Sequence, residues 1–423
     1  MAGTAKEREI RKFRLYVGDV LITKDSEDWS DIGVPALVDY AAQDLVCGYH
    51  LAMLRPDGTS LAGGYLFHAL KDSHVAWQCQ VAAAGVTRYG LSRNAIRSMR
   101  IPLPPLPEQT AIARFLDDAD RRIRRYVRAK ERLIELLEEE RRATIHEAVT
   151  GRIDVRTGQP YPAYKDSGVE WLGEVPEHWE IRRVATVAHQ RVSNVDKHVL
   201  EGESPVRLCN YMDVYHNERI GPDLPFMAGT ATEREIRRFR LAEGDVLVTK
   251  DSEDWSDIGV PAFVEYSAHD LVCGYHLAML RPDETSLDGG YLFQALGDSH
   301  VAWQFQVAAA GVTRYGLSHN AIRSIRIPLP PLTEQAAIAR LLEAAGRRMS
   351  TRRATVARQI ALLREYRTRL IADVVTGKLD VREAAAKLPE TAPLATDRDR
   401  SDTIPTESNP HSTEHDMMKE AII

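Results

Sequence analysis

The sequence predicts a mixed α/β fold in which one module of strands and helices occurs twice, each copy followed by a long helix. Residues 1–114 recur as residues 227–340, with 96 of 114 aligned positions identical. Strand-like and helix-like patterns alternate within each copy, and about forty residues of helical apolar spacing follow each one. Solenoid repeats run roughly 20–50 residues, so a repeat this long is a duplicated domain-sized module.

Short patterns within the first copy define its α/β character. A proline-rich run ends each copy. It reads Ile-Pro-Leu-Pro-Pro-Leu-Pro at 101–107 and is repeated at 327–332 as far as the second leucine. Such a run cannot continue a helix and predicts an extended exit from each module. The other elements are predicted from apolar periodicity: strands over 18–23 and 45–51, a helix beginning at 64–70 and a short helix at 94–98.

Each exit leads into a predicted long helix whose apolar residues recur three or four positions apart, forming a stripe. About forty helical residues span about 60 Å, and a stripe of that length needs a partner, for which the other copy's helix is the simplest choice. The stripe residues are Ile112, Leu116, Ala119, Ile123, Tyr126, Leu133 and Leu137 in the first helix and Ile338, Leu342, Ala345, Met349, Val356, Ile360 and Leu363 in the second.

Composition and charge predict an ordinary globular protein. Hydrophobic residues make up 44% of the chain, and no apolar run approaches the ~18 residues of a membrane span. The N-terminus lacks the apolar core of a signal peptide, so we expect a cytoplasmic protein. The net charge is −6, of which residues 388–423 contribute −5 (three basic and eight acidic residues), so charge alone neither supports nor excludes nucleic-acid binding. That tail has the composition of a disordered segment.

Cysteine usage gives no sign of a metal or disulfide framework. The four cysteines show no C-x-x-C spacing, and Cys79 is replaced by Phe305 in the second copy. We expect reduced, partly buried thiols.

Motifs for catalysis are missing from the sequence, which contains no phosphate-binding loop, dinucleotide fingerprint, zinc-protease motif or nucleophile elbow. No catalytic or metal-binding residue is therefore predicted. One enzyme alternative remains, a metal-dependent nuclease built on the acidic residues of a turn that is more simply interpreted as solvated. Those residues are Asp25, Glu27, Asp28 and Asp31, repeated as Asp251, Glu253, Asp254 and Asp257.

Two repeated segments carry the chemistry of nucleic-acid recognition. Residues 85–92, unchanged at 311–318, combine two glycines with hydroxyl groups, an arginine and a tyrosine, which suits phosphate positioning and base-edge reading; a structural turn explains them equally well. Residues 23–29 offer similar groups. The candidate DNA-binding residues are Lys24, Ser26, Trp29, Thr87, Arg88, Tyr89, Ser92 and Arg93 in the first copy and Lys250, Ser252, Trp255, Thr313, Arg314, Tyr315, Ser318 and His319 in the second.

Two other features admit a plainer interpretation. His50 and His276 each end a predicted strand, where a lone histidine is usually structural. The basic run at 121–125 suits a solvated helix face, with contact to DNA phosphates as the alternative.

The repeat is asymmetric, because residues 161–226 occur once and lead into the second copy. They have the position of the first part of a module, for which the first copy has no counterpart in this sequence. We expect either that the true start lies upstream of Met1 or that the gene has lost its 5′ end.

Three segments together resemble the specificity subunit of type I restriction-modification systems. They are Tyr161–Gly173 with Pro176–Trp179, the two runs 101–109 and 327–335, and the motif Val-Thr-Gly-[Arg/Lys]-[Ile/Leu]-Asp after each helix. The resemblance implies two target-recognition domains separated by two conserved helices that pair as an antiparallel coiled coil. The implied boundaries are 1–106 for the first domain, apparently lacking its N-terminal part, 107–151 for the first helix, 152–332 for the second domain, 333–377 for the second helix and 378–423 for the tail.

The resemblance also implies a division of labour. Each module would read half of a split double-stranded DNA target, and the helices would set the spacing and dock methyltransferase and restriction subunits. S-adenosylmethionine, ATP and magnesium would belong to those subunits, with no cofactor in this chain and no membrane partner. Because the modules are nearly identical, the target should be an inverted repeat. The copies differ at Arg93 and His319 and at Lys71 and Gly297, and these differences would make the two half-sites slightly unequal. The alternatives are a truncated, inactive specificity fragment and a coiled-coil scaffold that binds protein.

Overall fold

The computed structural model describes residues 7–40 and 42–389, and these form two compact units. The first unit contains residues 7–133 and 354–389, and the second contains residues 134–353. The predicted disordered tail lies outside the described residues from position 390 onward. None of the helices in the described ranges combines the length and apolar character that crossing a bilayer requires.

The first module is a small antiparallel sheet covered by helices. Its sheet has the order β3-β1-β4, a separate ribbon pairs β2 with β5, and Val20 and Ile22 of β1 are buried against α2. The elements are α1 Glu7–Phe13, β1 Val20–Thr23, β2 Asp25–Ser26, β3 Pro35–Leu37, β4 Leu51–Leu54, α2 Gly63–Lys71, α3 Ser73–Ala82, β5 Tyr89–Gly90 and α4 Arg93–Ser98, followed by the long helix α5 Leu106–Thr150.

The second module repeats these elements and adds the strands of residues 161–226. It also has strands at 227–231, 271–273 and 326–329 that have no counterpart among the described residues of the first module. A five-stranded sheet has the order β11-β15-β13-β17-β9, a three-stranded sheet has the order β12-β10-β16, and three pairs are β14-β18, β19-β8 and β6-β7. The strands are β6 Tyr164–Asp166, β7 Glu174–Pro176, β8 Glu180–Arg183, β9 Ala188–Val192, β10 Ser204–Cys209, β11 Arg219–Ile220, β12 Met227–Ala231, β13 Val246–Thr249, β14 Asp251–Ser252, β15 Pro261–Val264, β16 Leu271–Cys273, β17 Leu277–Pro282, β18 Tyr315–Gly316 and β19 Arg326–Leu329. The helices are α6 Tyr211–His216, α7 Glu233–Phe239, α8 Gly289–Gly297, α9 Ser299–Ala308 and α10 His319–Ser324, followed by α11 Leu332–Val375 and α12 Arg382–Ala386.

The prediction of one continuous strand over 45–51 was wrong in both copies. In the first module residue 46 forms only an isolated bridge, and the chain turns at 49–50 before β4 begins. In the second module β16 ends at Cys273, and a Cβ on Gly274 would lie 2.7 Å from the carbonyl oxygen of Cys209. The glycine permits this close approach and breaks the strand.

The two long helices pack antiparallel, as predicted. Within the first unit, Lys130 Nζ donates to Gln359 Oε1 at 2.6 Å, and Arg367 pairs with Asp120, so residue numbers fall along α11 as they rise along α5. Within the second unit, Arg353 Nη1 contacts Glu138 Oε1 at 3.3 Å. The helix pair is therefore present in both units.

The buried seam of α5 differs from the predicted stripe at two positions. Tyr126 is 56% exposed and Leu133 is 42% exposed. The seam instead follows an alternating spacing of four and three residues that includes Asp120 and Lys130, whose side chains pair with polar partners on α11. An apolar pattern alone does not reveal seam positions that polar residues occupy.

Candidate nucleic-acid interface

A two-stranded ribbon in each module brings the two predicted binding segments together. In the first module β2 pairs antiparallel with β5, so that Ser26 lies opposite Tyr89. In the second, β14 pairs with β18, and Ser252 lies opposite Tyr315. The segments that the sequence analysis selected separately therefore form one surface in each copy.

A glycine fixes the loop that carries the exposed arginine. Gly85 has φ +140°, and a Cβ there would lie 1.9 Å from the carbonyl oxygen of Arg88. The equivalent Gly311 has φ +145° and the same close approach, 2.0 Å to Arg314. A side chain at this position would collide with the backbone, so this turn requires glycine, and the arginine that the turn carries is exposed.

In the first module the arginine joins a cluster of polar and aromatic side chains. His50 Nδ1 is hydrogen bonded to Asp25, and Arg88 Nη2 lies 3.4 Å from the same imidazole nitrogen. Lys24 Nζ lies 3.4 Å from the Asp25 carboxylate and 4.5 Å from the ring centroid of Tyr49, which is strongly exposed. One carboxylate thus holds a lysine, an arginine and a histidine side by side.

The second module contains the same cluster. His276 Nδ1 lies 3.0 Å from Asp251 Oδ2, and Lys250 Nζ donates to that oxygen at 2.6 Å. Arg314 Nη2 lies 3.4 Å from His276 Nδ1, and Lys250 Nζ lies 4.8 Å from the ring centroid of Tyr275. Equivalent residues therefore make equivalent contacts in the two copies.

The central carboxylates are anionic near neutral pH. The hydrogen bond with His50 lowers the pKa of Asp25, assisted by Lys24. At Asp251 burial acts to raise the pKa, but hydrogen bonds from Lys250 and His276 outweigh it and lower the pKa below its ordinary value. Each cluster thus keeps one negative charge among its cationic groups, which orients donors that suit phosphate oxygens and base edges.

Several predicted binding residues are engaged within their own module. Ser92 and Ser318 cap the helices α4 and α10, each accepting the backbone N–H three residues on at 3.1 Å. Ser252 is buried, hydrogen bonded to Asp257 and covered by Tyr211, whose hydroxyl lies 3.5 Å away. These hydroxyl groups have structural partners, and contact with DNA remains a prediction for them.

The aromatic candidates are partly integrated into the fold. The indole nitrogen of Trp29 donates to the Gln80 carbonyl at 2.9 Å, and that of Trp255 donates to Gln306 in the same way. Both indoles stay exposed on one side. Tyr89 and Tyr315 pack against the core of their modules, whereas the remaining candidates lie on the surface: Thr87, Arg93, Thr313 and His319.

The acidic turn has the contacts of a structural element. Asp28 Oδ1 accepts hydrogen bonds from the backbone and hydroxyl of Ser30 at 2.8 and 2.7 Å, and Asp254 does the same for Ser256. Over residues 7–40 and 42–389, the carboxylates of this turn belong to no group with metal-binding geometry.

Two kinds of residue in this surface were not predicted from the sequence. His50 and His276 were interpreted as structural, yet they join the clusters; the repeated Gly-Tyr-His was the available signal. The second module also presents Tyr211 and Tyr215, stacked with ring centroids 5.6 Å apart and 12° between the planes. They lie in the unrepeated segment, where no pattern marked them.

The motifs that carry the family resemblance form the joint between module and helix. Gln335, fully buried, accepts from the Asp288 backbone at 2.8 Å and donates to the carbonyls of Ser286 and Pro330. Gln109 makes the corresponding contacts in the first unit. A single amide side chain therefore ties each helix start to its module.

Glu334 completes this joint in the second unit. Its carboxylate accepts hydrogen bonds of 3.0 Å from Tyr161 and Trp179, and contacts His178 and Arg156 at 3.0 and 3.1 Å. Burial alone would raise its pKa, but these donors lower it below the ordinary value. The charge is stabilised because each carboxylate oxygen has two polar or charged partners.

The fold and these surfaces define a class of protein in which a duplicated α/β module accompanies a pair of long antiparallel helices. The family model for the type I restriction modification DNA specificity domain matches residues 6–135 and 219–357, and the chain belongs to that family. It is a specificity subunit of a type I restriction-modification complex and is not itself catalytic.

Curated relatives span much of the chain. A Methanocaldococcus jannaschii protein named for the MjaX type I restriction enzyme specificity subunit is 24% identical over 383 residues, which cover 89% of this chain and 82% of the relative. The EcoKI specificity subunit of Escherichia coli K12 is 22% identical over 332 residues, covering 77% of this chain and 67% of the relative.

Solved structures share the fold. A chain from a study of complex assembly and conformational transition in the type I R-M system matches with a TM-score of 0.67 and 18% identity, covering 86% of this chain and 83% of that one. The HsdS subunit from Thermoanaerobacter tengcongensis matches with a TM-score of 0.50 and 18% identity, covering 86% and 82%.

Proposed function

We propose that this specificity subunit reads a split DNA target, each half through the cluster of one module. The observation that supports the proposal is the repetition of the cluster: Lys24, Asp25, Tyr49, His50 and Arg88 have counterparts with the same contacts in the second module. Lysine and arginine position phosphates, and an exposed arginine is suited to the acceptor pair of guanine in the major groove.

The two half-sites should be inverted copies of one sequence. Equal side chains in equal conformations select equal bases, and the two-fold relation predicted from the duplication places the half-sites on opposite strands. Arg93 and His319 differ and are both exposed, so we assign any departure from symmetry to the bases next to them.

The chemistry belongs to the partners in this proposal. Methyltransferase subunits with S-adenosylmethionine would methylate adenine, and a restriction subunit with ATP and magnesium would cleave. This chain would bind none of these cofactors, and it would work in the cytoplasm, where it meets double-stranded DNA.

Replacement of both loop arginines tests the proposal. The variant Arg88→Ala with Arg314→Ala should assemble normally with the methyltransferase subunits but bind target DNA more weakly, by about 1–3 kcal/mol for each lost base contact. Fluorescence anisotropy at several salt concentrations measures the affinity, and size-exclusion chromatography measures assembly. Lys165→Ala, an exposed lysine outside both clusters, is the control. Unchanged affinity in the double variant would remove the loop from the interface.

A second candidate function is reading by the second module alone. The stacked Tyr211 and Tyr215 favour it, because no equivalent pair is present among the described residues of the first module. The single variants distinguish the candidates: two-site reading predicts similar losses for Arg88→Ala and Arg314→Ala, whereas one-site reading predicts a loss for Arg314→Ala only.

A further inference from the structure

Two histidines and an aspartate meet within the second unit, outside the clusters described above. His146 lies on the last turns of α5, Asp298 precedes α9, and His300 is in the first turn of α9. His146 Nδ1 lies 3.0 Å from Asp298 Oδ2, and the two imidazole rings have centroids 4.2 Å apart. One potential ligand atom from each residue lies within 4.8 Å of the other two.

The carboxylate has one oxygen to spare in this arrangement. Asp298 Oδ1 caps α9 by accepting the backbone N–H groups of His300 and Val301 at 3.0 and 3.1 Å. Capping therefore occupies one oxygen and leaves Oδ2 directed at His146. The Asp298 side chain is 0% exposed, whereas the His300 side chain is 45% exposed. The buried aspartate therefore holds the group in the fold, and an ion can reach it from solvent on the side of His300.

The first module shows what the same aspartate does without the helix histidine. Asp72 caps α3 with Oδ1 in the same way, and His74 follows it as His300 follows Asp298. At the position that aligns with His146, however, the second long helix has Ala372. Asp72 Oδ2 is buried without a hydrogen-bond partner. The second carboxylate oxygen is thus not needed for the cap, and among the described residues a histidine lies against it in the second unit only.

We propose that His146, Asp298 and His300 bind one divalent transition-metal ion of the zinc class. Two imidazole nitrogens and a carboxylate oxygen are a common zinc ligand set, with metal–ligand distances of about 2.0–2.2 Å and a fourth position for water. Small side-chain movements would bring the three ligand atoms to that distance. The ion would fasten the end of α5 to α9 within the second unit.

This site departs from the expectation that the chain has no metal ligand. That expectation rested on spacing, and the ligands from α5 and α9 are far apart in sequence, so no short motif marks them. The alternative is a site without metal, in which His146 is hydrogen bonded to Asp298 and its ring lies against that of His300. Under that alternative the three residues would bind no ion.

Metal stoichiometry of the full chain tests the proposal. The protein is stripped with a chelator, titrated with Zn²⁺ by calorimetry, and titrated with Co²⁺ to record the visible bands of four-coordinate cobalt. His146→Ala and His300→Ala should each lose one tight equivalent and the cobalt bands. His74→Ala, the counterpart of His300 in the module without the helix histidine, should keep both; this control matters because the chain has 14 histidines.

Two outcomes would overturn the proposal. If His146→Ala and His300→Ala bind as many equivalents as the unchanged protein, or if no tight equivalent is present at all, the site does not exist. Zn²⁺ should also raise the Tm of the unchanged protein and of His74→Ala but leave that of His300→Ala unchanged. Because His300 is half exposed, its replacement leaves the fold intact even if replacement of His146 does not.

Discussion

The tetrapeptide Leu-Ala-Met-Leu occurs in both modules and has a different environment in each. In the second module residues 277–280 are 0% exposed, because β17 lies between β13 and β9. In the first module residues 51–54 pair only with β1 among the described strands, and all four are partly exposed. Identical residues are thus core in one copy and edge in the other, since burial depends on the neighbouring strand, which residues 161–226 supply once.

The joints between module and helix differ for the same reason. Glu334 receives donors from Tyr161, His178 and Trp179, all from the unrepeated segment. Its counterpart Glu108 lies near Arg382, whose pKa is raised first by its hydrogen bond with Asp380 and further by Glu108. Both joints therefore share a buried glutamine, and the second adds a buried, hydrogen-bonded carboxylate with partners from the unrepeated segment.

The largest difference is expected for truncation of the shared strand. Leu280→Ala removes a fully buried side chain and should lower the free energy of unfolding of the second module by about 3 kcal/mol. Leu54→Ala removes a partly buried one and should lower that of the first module by about 1 kcal/mol. Hydrogen exchange measured by mass spectrometry reports each module separately.

The peptides for that measurement must be chosen with care, because residues 44–57 and 270–283 have the same sequence. A peptide that extends to Gly58 or to Glu284 identifies its copy by mass. Equal losses in the two modules would mean that a strand also covers β4 in solution, and would contradict the difference in burial.

A smaller difference is expected at the glycines that end the long helices. Gly151 and Gly377 have φ +71° and +76°, so alanine costs about 1 kcal/mol in conformation at either position. At Gly151 the new Cβ would also lie 2.5 Å from Pro176 and 2.9 Å from Trp179, whereas at Gly377 the space is open. Gly151→Ala should therefore lower the Tm clearly more than Gly377→Ala. Thermal unfolding by circular dichroism decides this, and equal shifts would show that Trp179 does not pack on the helix end.

The smallest difference is one of pH dependence. The pKa of Glu334 is lowered in the folded protein, so its contribution to stability is complete above the ordinary glutamate pKa and is lost as pH falls through the lowered value. Glu334→Gln should cost about 1 kcal/mol at neutral pH and flatten the acid limb of the stability curve. Glu108→Gln is the matched control and should change little. Urea unfolding between neutral and acid pH measures both, and identical curves would contradict the buried joint.

The sequence predicted the elements better than their contacts. The repeat and the two long helices were recognisable, because duplication and periodicity can be read directly from the sequence, and the family resemblance implied their antiparallel pairing. DNA binding by the two selected segments stays a prediction. The polar seam positions Asp120 and Lys130 were not recognisable, since a seam is defined by its partner helix. Nor was the meeting of His146 with Asp298, which depends on how α5 packs against α9.

The candidate binding surface shows the same limit. Arg88 and Lys24 were selected from residue chemistry, and the ribbon of β2 and β5 brings their segments together. His50 was set aside because a histidine at the end of a strand is usually structural. Its contact with Asp25 and Arg88 arises from the turn after Gly48, which the continuous strand prediction concealed.

The central claim is that two equivalent modules read one split target. The most direct test is a map of methylated adenines in DNA from cells that express this chain with its cognate methyltransferase subunits. The account predicts a motif of two separated halves that are inverted copies of each other. Two unlike halves, or a single unsplit motif, would contradict it.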